Sequence, residues 1–200
     1  MEQVRSFIAI ELPDGLKEEL AQLQTQLKSS NPSSVKWVNP FGIHLTLKFL
    51  GNIDVARISE ITQAIKAATQ EMSPFHVEVR GLGVFPNLRR VQVVWVGIKG
   101  EVDKLGKFQQ RIESNLARLG FTPETRPFTP HLTLARLRSQ ASPNERQRFG
   151  QLISETKFES EYSIKVDSIN LMSSQLTREG AIYSQISSVK LKKPLSTATD

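Results

Sequence analysis

Apolar side chains recur along this chain with two alternating periods. Residues 4–11 form a short apolar run closed by Pro13 and Gly15, which reads as a strand and its end. Leu16, Leu20, Leu23 and Leu27 then recur every three or four residues, the spacing of a helix with one buried face, before Ser29 to Ser34 break it. Residues 35–38 are extended, and 43–49 alternate apolar with polar like a strand buried on one side. A second helix is predicted over 60–68 and a strand over 75–80. The β-branched run 91–98 follows as a hairpin partner across a turn at Pro86 and Asn87. Leu105, Phe108, Ile112, Leu116 and Leu119 mark a third helix with Gly120 as its stop. Residues 131–134 alternate again, 142–150 predict a short helix, and 162–172 and 181–189 read as two late strands. A strand, helix and strand on either side of the midpoint, with no Gly/Ser linker between them, predict an α+β fold of two lobes built alike.

Composition narrows the chemistry. Two hundred residues, 38% hydrophobic and 23% charged, suffice to bury roughly 70% of the unfolded surface without covalent staples. The absence of cysteine excludes disulfides, thiolate zinc sites, iron–sulfur clusters and a cysteine nucleophile. A net charge of +6 favours an anionic partner, nucleic acid or a phosphorylated small molecule. No apolar run approaches the ~20 residues of a membrane span, and the amino end lacks the marks of a signal peptide. A cytoplasmic location without a membrane partner is the expectation.

Only three histidines occur, and two of them open the same tetrapeptide: His44-Leu45-Thr46-Leu47 and His131-Leu132-Thr133-Leu134. That any two of three histidines share their next three residues by chance has odds below roughly one in a thousand. On a strand, alternation sends His44 and Thr46 to one face, about 7 Å apart, and Leu45 and Leu47 to the core. His131 and Thr133 repeat the pattern. Two such strands facing across a cleft offer two imidazoles for proton transfer and two hydroxyl donors, the set an in-line displacement at phosphorus needs, and no metal is required. His76 has no threonine two positions on and reads as an ordinary strand residue. Gly81-Leu82-Gly83 lacks a third glycine and a following Lys-Ser/Thr, so it reads as a turn and not a nucleotide loop. Arg89 and Arg90, at the predicted hairpin tip, fit RNA-backbone contact and solvated surface charge about equally. Among Phe7, Phe41, Trp95 and Phe128, the aromatics near the motifs, Phe7 is the candidate for stacking on a base, and Trp95 is assigned to the core.

With both motifs intact, the chain resembles the two-histidine phosphoesterases, and within them the bacterial and archaeal RNA 2',3'-cyclic phosphodiesterases, also called 2'-5' RNA ligases. The likeness runs from residues 5–13 through 35–38, 43–51, 81–86 and 126–136 to 171–183. It implies one bilobal domain over 1–190 with a polar tail at 191–200, an antiparallel sheet in each lobe with helices outside, and an active-site cleft between the lobes. It further implies that His44 is the general acid at the leaving 3' oxygen and His131 the base for water, and that Thr46, Thr133 and Arg136 hold the phosphate. The expected reaction opens 2',3'-cyclic phosphate ends of RNA or nucleotides to 2'-phosphomonoesters, with no cofactor or metal and as a monomer. Reversible 2'-5' ligation and non-catalytic binding of RNA ends stay open as alternatives. Five residues after His131 stands Arg136, whereas five after His44 stands Phe49, so the halves of the site differ. Strict alternation from His131 turns Arg136 away from the cleft, so Arg136 reaches it only if the strand ends or bulges near Ala135.

Overall fold

The computed structural model describes residues 2–28, 34–70, 72–177 and 180–192. In chain order its elements are β1 (Gln3–Ile10), α1 (Asp14–Lys28), β2 (Val35–Trp37), β3 (Leu45–Asp54), α2 (Ile58–Thr69), β4 (Phe75–Phe85), β5 (Val93–Gly100), α3 (Val102–Ala117), β6 (His131–Leu137), α4 (Pro143–Glu155), β7 (Glu159–Val166), β8 (Ser168–Leu176) and β9 (Ala181–Lys190). The strands form two antiparallel sheets. One has the order β3-β1-β8-β9 and the other β2-β6-β5-β4-β7.

The expected α+β architecture of two lobes is present, and the helices cover the outer sides. Helix α3 turns Leu105, Phe108, Ile112 and Leu116 inward, each burial stabilising by about 1.5–3 kcal/mol, and packs with α2 on the four-stranded sheet. Helices α1 and α4 cover the five-stranded sheet, so α1, which follows β1, and α3, which follows β5, each cross to the sheet of the other lobe. Ser142 and Glu145 close a capping box at the start of α4, with Pro143 in its first turn, and that helix runs past Gly150 to Glu155. One continuous apolar cluster joins Ile8 and Leu47 of the first sheet to Val96 and Leu134 of the second.

Three expectations need correction. The run 162–172 is not one strand: β7 and β8 lie in different sheets, divided at Asp167. Buried Ile164 and Val166 are even-numbered whereas buried Ile169 and Leu171 are odd, and that change of parity moves the chain from one core face to the other. Gly81 to Gly83 are not a turn but part of β4, where Gly83 lies under Trp95 so closely that a Cβ would stand 2.2 Å from the indole. Leu191, assigned to the tail, is 6% exposed and its amide donates to Asp167 O. The remainder of that tail, 193–200, lies outside the described residues, as do 29–33 of the predicted break.

Candidate active site

His44 immediately precedes β3, and His131 opens β6. Each ring is held in the same way. His44 Nδ1 lies 2.8 Å from Gly42 O, and His131 Nδ1 lies 2.7 Å from Thr129 O, in both cases the carbonyl two residues back. A carbonyl only accepts, so each Nδ1 carries the hydrogen and each Nε2 is left for a substrate. Burial holds both imidazoles below their ordinary pKa, opposed by these hydrogen bonds, and the charge of Arg136 lowers His131 further.

Aromatic rings wall both histidines. Phe7 stacks on His44 at 4.5 Å and Tyr183 meets it edge-on at 4.9 Å. Phe85 meets His131 edge-on at 5.1 Å, with Trp95 at 6.2 Å. Phe7 is only 2% exposed and gives its face to His44, so a base cannot stack there. Trp95 is half-buried beside His131, not in the core, and with Gly83, Val84, Asn87, Leu88 and Arg89 it lines a cavity of about 650 Å³. Phe41 and Phe49 are 63% and 67% exposed.

Strand β6 does bulge beside Ala135, and β3 bulges at the equivalent place. Trp95 pairs with Thr133 and Val94 with Ala135, which leaves Leu134 as an extra residue in β6. Leu134 and Ala135 are both buried in succession, after which Arg136 is exposed on the side that carries His131 and Thr133. In β3, Ala9 pairs with Thr46 and Ile8 with Lys48, so Leu47 is the extra residue. Phe49 thereby emerges beside His44 and Thr46. Arg136 forms no salt bridge among the described residues. Burial raises the pKa of Tyr183, opposed by the charges of Arg136 and Arg5.

The structure thus places His44 at the start of β3 with Thr46 within that strand, and His131, Thr133 and Arg136 along β6, and leaves His76 exposed on β4, its amide donating to Glu101 Oε2. Sequence reasoning missed Tyr183, Phe85, Arg5 and the place of Trp95. The odd-numbered alternation of Arg5 with Phe7 was the one available signal for Arg5. No group of three or more metal-binding side chains, and no helix long and apolar enough to cross a membrane, is found among the described residues.

This duplicated geometry has counterparts. The RNA 2',3'-cyclic phosphodiesterase of Methanothermobacter thermautotrophicus is 33% identical over 189 residues, 94% of this chain and 100% of that protein. The protein of the same description from Aeropyrum pernix is 35% identical over 156 residues, covering 78% of this chain and 86% of its own. The E. coli LigT structure complexed with 3'-AMP has the same fold, with a TM-score of 0.77 and 23% identity over 96% of this chain and 100% of that one. The model of the family described as LigT like Phosphoesterase matches twice, over residues 10–95 and 96–183, so that each match contains one His-Leu-Thr-Leu motif. With most of its length matched in two successive copies, each containing one His-Leu-Thr-Leu motif, this chain belongs to the LigT-like phosphoesterase family.

Proposed function

We propose that this chain hydrolyses the 2',3'-cyclic phosphate ends of RNA or nucleotides to 2'-phosphomonoesters by metal-independent acid–base catalysis, the two lobes of 1–190 working as one unit. The observation that carries the reading is the pair of imidazoles fixed by the same carbonyl contact, each with Nε2 available. Neutral His131 takes a proton from water as the water oxygen bonds to phosphorus. Opposite it, protonated His44 gives its proton to O3' as the P–O3' bond breaks. Thr46, Thr133 and Arg136 hold the non-bridging oxygens, whose charge grows in the transition state. Phe7 acts through His44, as the flat support that fixes the plane of the ring.

The relatives named RNA 2',3'-cyclic phosphodiesterase support this substrate class. A second reading, ligation, rests on the cavity lined by Trp95, whose ring lies 6.2 Å from that of His131: a nucleoside seated there would bring a ribose hydroxyl where the first reading has water. Incubation with 2',3'-cyclic AMP and with an RNA oligonucleotide ending in a cyclic phosphate tests both. The expected result is a 2'-phosphate product, undiminished by EDTA. Absence of turnover, or turnover lost in EDTA and restored by zinc or manganese, overturns the proposal, and 2'-5' joined products would favour the ligase.

A further inference from the structure

Helices α1 and α3 each bury a glutamine in an otherwise apolar face, and at the same place. In α1 the inward positions are Leu20, Leu23, Gln24 and Leu27, and in α3 they are Leu105, Phe108, Gln109 and Ile112, with identical spacing. Gln24 is 1% exposed, where an amide is costly unless its hydrogens are satisfied. Its Nε2 donates to Val38 O at 2.8 Å and to Leu134 O at 3.0 Å. Two carbonyls cannot donate, so the amide is oriented unambiguously, and Oε1 is left buried without a partner. Gln109 Nε2 reaches Leu47 O at 3.4 Å and Glu113 Oε1 at 3.1 Å. Leu134 and Leu47 are the bulged residues that follow the two motif threonines. In each half, then, a helix glutamine from across the molecule grips the carbonyl of the residue that bulges.

We infer that Gln24 is a positioning residue which holds the β6 bulge and so keeps Arg136 turned into the cleft. The extra residue at Leu134 reverses the alternation that would otherwise send Arg136 to the core side. The same amide ties Val38, which leads toward the His44 segment, to the strand that carries Arg136. The inference rests on the proposed action of Arg136 on phosphate.

Gln24→Met keeps the volume and removes both donors. With 2',3'-cyclic AMP it is expected to lower kcat/KM about tenfold, as loss of buried hydrogen bonds does, and to weaken binding of inorganic phosphate by a similar factor. In an Arg136→Ala background it is expected to cost less than twofold in either readout. Equal losses in both backgrounds, or no loss in the parent, overturn the inference. Gln109→Met serves as the contrast, its effect adding to that of Arg136→Ala; if it too vanishes in that background, the link between Gln24 and Arg136 is not specific and the inference fails. Should Gln24→Met not fold, as thermal melting would reveal, Gln24→Asn keeps an amide on a stem too short for both carbonyls, and the same cycle is read with it. If the parent binds phosphate yet turns over no cyclic nucleotide, the proposed function fails while the phosphate cycle still decides the positioning role.

Discussion

His44 and His131 share one tautomer, one kind of backbone anchor and one kind of aromatic wall, so their loss should be comparable. His44→Ala and His131→Ala are each expected to lower kcat by about 100-fold or more, with His76→Ala near the parent, in steady-state assays on 2',3'-cyclic AMP. The pH profile follows from the direction of the shifts. Both imidazoles lose their protons below the ordinary 6.5 in the free protein, because burial disfavours their charged forms. The rise of kcat/KM with pH and its later fall are both set by these groups, so the bell should peak on the acid side of 6.5. A bound phosphate anion favours imidazolium, so the bell for kcat should lie at higher pH than that for kcat/KM. A kcat/KM maximum above 7 would contradict the two-imidazole assignment. These histidines were legible in the sequence because repetition of a rare residue stands out against composition. Tyr183 and Phe85 were not, since one aromatic in an alternating strand looks like any other until the sheet is folded.

The elements were legible wherever one face of a strand or helix is buried, as in α1 and α3, where a period of three to four runs without interruption. They were obscured where the chain changes sheets, at Asp167, and where it bulges, because an inserted residue looks like a break in the pattern. The bulge near Ala135 is the exception, since strict alternation shows that Arg136 shares a face with His131 only if the strand ends or bulges there. Its twin in β3 carries a stability prediction. Lys48, just past the bulged Leu47, is 7% exposed, and its Nζ donates to Glu113 Oε2 at 2.7 Å and to Thr122 O at 3.0 Å. Removing one partner strands the other charge in a largely buried place. Lys48→Ala should therefore lower the unfolding free energy by about 3 kcal/mol in urea titration. Adding Glu113→Ala should cost less than the two single changes combined, because no charge is left unpaired.

At the scale of the whole molecule, the two halves repeat each other down to the bulge and the buried glutamine, yet the exchange of strands between sheets could not be read from local pattern. Nothing in residues 168–190 announces that β8 and β9 join β1 and β3, because sheet partnership depends on which face is left uncovered after the first strands have paired. Near-symmetry also poses a chemical question. To a site that grips only the phosphate, O2' and O3' of the ribose are nearly alike, so the nucleoside must tell them apart. Equivalent bulges present Phe49 on one side and Arg136 on the other. On the proposed reading, the arginine would anchor charge and the 67% exposed phenylalanine would offer an apolar face to the base, an arrangement expected to fix one orientation with O3' beside His44. The two residues should consequently fail in different ways. The parent is expected to convert 2',3'-cyclic AMP to 2'-AMP almost alone. Arg136→Ala should be at least tenfold slower in kcat/KM, as loss of a charge-assisted contact implies, with the product unchanged. Phe49→Ala should keep more of the rate but release a measurable share of 3'-AMP. Chromatography against the two nucleotide standards reads all three, and predominant 3'-AMP or an even mixture from the parent would show that the base is not held on the Phe49 side.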